Sequence, residues 1–227
     1  MRLKTLVVGL LGCSGSASKS TNNSNDVLDT GNASFSNPLE WSVKEEGPYQ
    51  VGYSTMETTY SPGADFADRT IRLHIWYPTE DQSGISAEYT VGVDSLVFKD
   101  AQPAPPDFDS GYPVHVHSHG FRAYGATSVF MARYLATHGW LTVAPDHTEN
   151  TILDHADPLP TAHYFHRPLD VQHSLDAVAS LPSEHPLRDH ADTHRVVLSG
   201  HSFGAYTVWS AIGQRWTVSD RNLGGLR

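Results

Sequence analysis

With 227 residues, 39% of them hydrophobic and 18% charged, the chain has the size and composition of one globular domain with a sizeable core. Its formal net charge of −10 excludes a phosphate-tracking surface, because nucleic-acid binders gather Lys and Arg to displace counterions. Nucleic acid is therefore not an expected partner.

The chain opens on Met1-Arg2-Leu3-Lys4 and an apolar run from Leu6 to Leu11, a basic segment followed by one too short to span a bilayer. Leu10-Leu11-Gly12-Cys13 resembles the bacterial lipobox, so residues 1–12 are expected to be a lipoprotein signal peptide and Cys13 the lipidated residue that holds the protein to the cell envelope. A plain signal peptide with an incidental Cys and secretion, or a start placed at the wrong Met, are the alternatives. Cys13 is the only cysteine, which leaves no thiol for an intrachain disulfide. Residues 13–39, rich in Ser, Asn, Gly and Thr, bury too little apolar surface to offset ordering entropy and read as a flexible tether. A folded domain is expected over 40–227.

Within it, Arg69 to Tyr77 alternates, with Ile71, Leu73 and Ile75 on one face, as in a half-buried antiparallel edge strand ended by Pro78. The Pro-rich stretch 100–111 leads into a short buried strand, Tyr112 to His117. Thr127 to His138 pairs Phe130 with Tyr134 and Met131 with Leu135 at helical spacing, and Gly139 follows where a left-handed residue ends a helix. Trp140 to Ala144 is a buried strand and Asp170 to Leu181 a helix closed by Pro182. Arg195 to Ser199 is a further buried strand, followed by a helix over 205–212. Trp76, Trp140 and Trp209 fall in regular elements and are expected in the core. Strands alternating with helices imply right-handed crossovers and a mostly parallel, doubly wound α/β sheet.

Between the last strand and helix lies Gly200-His201-Ser202-Phe203-Gly204. This Gly-x-Ser-x-Gly pentapeptide, in a strand-to-helix setting, is the signature of a nucleophile elbow. The glycines permit a sharp turn that lifts the Ser202 hydroxyl off the sheet toward substrate. The Phe203 N–H, at a helix N-terminus, is suited to an oxyanion. A second donor is expected from the loop His117-Ser118-His119-Gly120-Phe121, where Gly120 lets the Phe121 N–H face the same point.

Taken together, that loop, Leu135-Ala136-Thr137-His138-Gly139-Trp140 with Asp146-His147, Arg167-Pro168-Leu169-Asp170, and the elbow resemble the platelet-activating-factor acetylhydrolase family and its dienelactone-hydrolase-like and polyesterase relatives, over about residues 112–214. The resemblance implies an α/β-hydrolase fold, Ser202 as nucleophile, and the N–H groups of Phe121 and Phe203 as oxyanion hole. It also implies esterase action on short acyl groups, with a small-molecule or lipid ester as substrate and neither metal nor cofactor.

One departure stands out. The fold orders its triad Ser, then Asp or Glu, then His. The last histidine here is His201, in the elbow itself, and Asp220 has no imidazole to orient. The expectation is a chain cut short of its C-terminal strands, poorly folded and nearly inactive alone, with a base recruited from upstream (His147 or His155) or from a partner chain as the alternative. Asp146 and His147 stand either at the pocket wall or in structural roles.

Two other classes compete. His115-x-His117-x-His119 would share a strand face and hold Zn²⁺ in a metal-dependent hydrolase. Against it, fourteen histidines favour chance clustering, and His119 is expected in the turn. A non-catalytic anchored protein that kept the elbow without its triad is the third reading.

Overall fold

The computed structural model describes residues 41–213 and the backbone of Thr5–Val7. Cys13, the segment up to residue 40 that was expected to be a tether, and residues 214–227 with Asp220 lie outside the described residues.

The strands are β1 (Thr5–Val7), β2 (Gln50–Tyr60), β3 (Arg69–Thr79), β4 (Ser86–Tyr89), β5 (Gly92–Lys99), β6 (Tyr112–Ser118), β7 (Leu141–Pro145) and β8 (Ala191–Gly200). The helices are α1 (Val129–Thr137), α2 (His163–Ala179) and α3 (Phe203–Ala211). The sheet runs in the order β1-β8-β6-β7-β3-β2-β5-β4. Its first four strands are parallel, β3 is antiparallel to both β7 and β2, and β4–β5 forms an antiparallel hairpin at the far edge. The half that carries the elbow is thus the parallel half.

Helices cover both faces. Ile71, Leu73 and Ile75 join Val114, Val116, Leu141, Val143, Val196 and Leu198 in one apolar layer, capped by Val171 and Val178 of α2 and Val208 of α3. Trp76, from the opposite face of β3, joins Val51, Tyr53 and Ala144 in a second layer under Ala132 and Ala136 of α1. Period-two alternation in β3 therefore feeds two cores at once.

Several expectations are corrected. β3 is an interior strand, because β2 pairs with it over residues 50–60. That partner, Gln-Val-Gly-Tyr-Ser-Thr-Met-Glu-Thr-Thr-Tyr, is polar on its exposed face and gives little apolar signal. Pro78 does not end β3; it lies opposite Val51, and its carbonyl takes the Ala104 N–H at 3.0 Å. In α1 the core face is Ala132, Ala136 and Thr137, while Phe130 is 72% exposed. Small residues let this helix sit close on the sheet, and Phe130 points outward. Gly139 does take a positive φ of 79° after the helix.

The helix α2 begins a full turn and more before the expected start and carries Pro168 inside it. A proline cannot donate to the carbonyl four residues back. That carbonyl, of Tyr164, instead accepts the Tyr206 hydroxyl of α3 at 3.3 Å, so the break in one helix is used to join it to the next. Trp76 is buried as expected, but Trp209 is 47% exposed on α3 and Trp140 only partly buried.

Candidate active site

β8 ends at Gly200, α3 starts at Phe203, and Ser202 between them has φ 53° and ψ −115°. A non-glycine residue in that region is strained and persists only where its surroundings over-determine it. Here they do. Gly204 N–H donates to the His201 carbonyl at 2.7 Å and Ala205 N–H to the Ser202 carbonyl at 2.9 Å, which starts the helix immediately after the turn. A Cβ on Gly200 would lie 2.2 Å from the backbone of Gly204. Ser202 is left exposed, and its hydroxyl has no hydrogen-bond partner among the described residues.

The loop after β6 is locked against this elbow. His201 N–H donates to the Ser118 carbonyl at 3.1 Å. A Cβ on Gly204 would fall 1.9 Å from the same oxygen, and one on Gly120 would fall 2.9 Å from Nδ1 of the His201 ring. Close approach to backbone requires the glycine at 204, while at 120 the nearest obstacle is the exposed His201 ring. The loop then turns, with Ala123 N–H donating to the Gly120 carbonyl at 3.3 Å and Arg122 at φ 53°. Phe121 is 45% exposed, and the Arg122 guanidinium stacks 5.0 Å from its ring centroid. Among the described residues, neither the Phe121 N–H nor the Phe203 N–H has an acceptor. Ser202, Phe121 and Phe203 are thus brought to one end of the parallel strands, with Gly200, His201 and Gly204 shaping the turn.

Among the described residues no hydrogen bond joins His147 or His155 to Ser202. His147 is fully buried; its Nδ1–H donates to Asp170 Oδ2 at 2.8 Å, and its Nε2 meets the Ser118 hydroxyl at 2.8 Å. Its main-chain N–H donates to Nε2 of His119 at 3.1 Å, so the His119 Nδ1–H faces the Gly120 carbonyl at 2.7 Å. Burial first, then the neighbouring Arg167 and Arg69, hold the His147 imidazole well below its usual range. It is a neutral spacer with both nitrogens engaged. His155 is exposed on the loop before α2. Asp146 is structural: it accepts the Gly125 N–H at 2.7 Å and lies 3.2 Å from Nε2 of His74.

Nor do the three alternate histidines converge. His115 Nε2 and His117 Nδ1 meet at the Ser199 hydroxyl, at 2.7 and 2.9 Å, on one face of the sheet. His119, beyond the end of β6, faces His147 instead. Among the described residues no group of three His, Cys, Asp or Glu side chains is arranged to hold a metal ion.

Beneath the loop lies a charged network that sequence reasoning did not assign. Asp170, fully buried, accepts Arg69 Nε at 2.7 Å and Nη2 at 2.9 Å, the Tyr60 hydroxyl at 2.7 Å and His147. Arg167, one turn earlier on α2 and also fully buried, donates from Nε to Thr207 Oγ1 at 3.1 Å and from Nη1 to Asn150 Oδ1 at 2.6 Å. Its Nη2 reaches Ser118 Oγ at 3.2 Å and the His119 carbonyl. The available signal was an Arg and an Asp three apart on the same helical face as apolar Val171 and Val178, a face that should otherwise exclude charge.

No family model matches the chain, and no curated protein does. Solved structures do. A ferulic acid esterase from Streptomyces cinnamoneus superposes with a TM-score of 0.60 over 75% of this chain at 23% identity. An acetyl xylan esterase from Paenibacillus sp. R4 covers 70% of this chain, and this chain 44% of it, at 18% identity and a TM-score of 0.42. The chain spans 57% of the length of the ferulic acid esterase. The order of strands, the elbow at the end of β8 and this likeness together establish that the chain has the α/β-hydrolase fold.

Proposed function

We propose that the chain carries the nucleophile and oxyanion hole of a serine carboxylic-ester hydrolase that acts on short acyl esters, as in platelet-activating-factor acetylhydrolases. The observation that carries this reading is the pair of unpaired N–H groups, Phe121 and Phe203, on two segments locked together beside an exposed, strained Ser202. Preorganised donors of this kind stabilise the charge that develops on a carbonyl oxygen.

In the reaction proposed, Ser202 Oγ attacks the acyl carbon and its proton passes to a general base. The oxygen of the tetrahedral adduct takes the negative charge toward the two N–H groups. The C–O bond to the alcohol then breaks, the alcohol leaves protonated, and water hydrolyses the acyl-serine. Among the described residues no imidazole contacts Ser202, which favours a second reading, a hydrolase-like protein without catalysis.

A fluorophosphonate probe separates the two. Covalent labelling that is lost in Ser202→Ala, together with turnover of p-nitrophenyl acetate, supports the esterase; an unlabelled, folded protein overturns it. We propose further that Cys13 tethers the domain to a membrane, in which case cleavage before Cys13 removes Thr5–Val7 and its pairing with β8. Membrane association that survives Cys13→Ser refutes this.

A further inference from the structure

Arg167 is a buried cation without a carboxylate partner. All its acceptors are neutral: Asn150, Thr207, Ser118 and the His119 carbonyl. The nearby buried carboxylate, Asp170, is already matched by Arg69 at 2.7 Å. Two guanidinium groups, Arg69 and Arg167, thus lie beside the one carboxylate of Asp170 and a neutral His147 under the loop. Burial pushes the Arg167 guanidinium down to about 9, so it stays protonated at neutral pH. A buried cation that no carboxylate hydrogen-bonds is costly, and its placement is specific.

One end of the guanidinium holds the loop that presents the Phe121 N–H, through the His119 carbonyl and Ser118 Oγ. The other end holds the helix that presents the Phe203 N–H. There, Nε donates to Thr207 Oγ1, and the Thr207 hydroxyl donates to the Phe203 carbonyl at 2.9 Å. The guanidinium plane also lies over the Phe203 ring, with Cζ 4.5 Å from the centroid.

We propose that Arg167 is the positioning residue of the oxyanion hole, a single buried cation that sets the spacing of its two arms and adds a positive field to the oxyanion. The proposal rests on the serine-hydrolase reading above. It assigns the cost of burying the charge to a group needed only when negative charge develops on the substrate, not to stability alone.

The test is the labelling of Ser202 by a fluorophosphonate, in buffer containing free imidazole as general base, resolved into the limiting rate and the half-saturating probe concentration. Arg167→Met is expected to lower the limiting rate about tenfold or more, with half-saturation little changed, since oxyanion-hole contacts act on the transition state. Arg167→Lys, which keeps the charge, is expected to recover part of that loss. An unchanged limiting rate in Arg167→Met, or a Lys variant as slow as Met, overturns the proposal. Thr207→Val gives a reading should Arg167→Met not fold. It keeps the cation, removes both the acceptor of Arg167 Nε and the hydrogen bond to the Phe203 carbonyl, and is expected to slow the limiting rate about threefold; no change refutes the bridging role. Absence of labelling in the unaltered protein defeats instead the esterase reading, and this proposal with it.

Discussion

The main-chain N–H of His201 donates to the carbonyl of Ser118 at 3.1 Å, so the elbow and the loop after β6 are one hydrogen-bonded unit, not two neighbours. Gly204 is what permits this closeness, since a Cβ there would lie 1.9 Å from the Ser118 oxygen and 2.8 Å from that of His119. Both obstacles are backbone and cannot rotate away. Gly204→Ala is therefore expected to cost about 1–3 kcal/mol of stability, as overpacking does. The thermal midpoint should fall by several degrees in a domain of this size, and Ser202 labelling should fall with it. A midpoint within a degree of the unaltered protein contradicts the close approach.

Asp170 gathers four donors from three elements: Arg69 twice, Tyr60 and His147. Asp170→Asn keeps the shape but strands the Arg69 cation in a dry site, and breaking a buried pair on one side costs about 3–5 kcal/mol. Tyr60→Phe removes one neutral donor from the same carboxylate and should cost less, about 1.5–3 kcal/mol. Urea unfolding of the two variants measures the contrast. Equal losses would mean that the Arg69 pair is not the main support of this network.

Much of this was legible in the sequence where apolar periodicity and turn chemistry agree. The buried strands β6, β7 and β8 read as short apolar runs, and the elbow read as glycines around a serine between strand and helix. Other features were hidden for physical reasons. The strand β2 is polar on its outer face, and β3 was misread as an edge because its partner was invisible. In α1, large residues at helical spacing mark the helix but not its core face: the sheet accepts the alanines and leaves Phe130 in solvent. The start of α2 was masked by Pro168, which ordinarily marks a boundary and here is tolerated because Tyr206 takes up the freed carbonyl. The Arg167 and Asp170 network depends on which buried groups meet, and spacing alone does not encode that.

Ser202 is exposed, and its hydroxyl has no partner among the described residues, so a small base from solution has access to it. General-base assistance typically contributes about 10²-fold or more when the base is positioned, and a diffusing imidazole should recover a fraction of this. Labelling of Ser202 is expected to accelerate in proportion to added imidazole, tracking its neutral fraction, and to be absent in Ser202→Ala. Fast labelling that ignores imidazole would show instead that the protein supplies its own base.

His115 and His117 share the Ser199 hydroxyl deep in the sheet, and burial, followed by the charge of a neighbouring histidine, lowers them to about 3 and about 4 from an ordinary 6.5. Above pH 6.5 both are neutral folded or unfolded and add no pH dependence. Below it, the unfolded chain gains protons that the folded state refuses, so stability falls as pH drops from 6.5 toward 4 and levels off only once the folded imidazoles titrate. Each contributes at most about 1.4 kcal/mol per pH unit across its window. Urea midpoints between pH 7 and pH 4 should decline steadily, and His115→Gln with His117→Gln should flatten the decline. An equally steep fall in the double variant would place the acid sensitivity elsewhere, with the buried His147 and its Asp170 partner the next group to test.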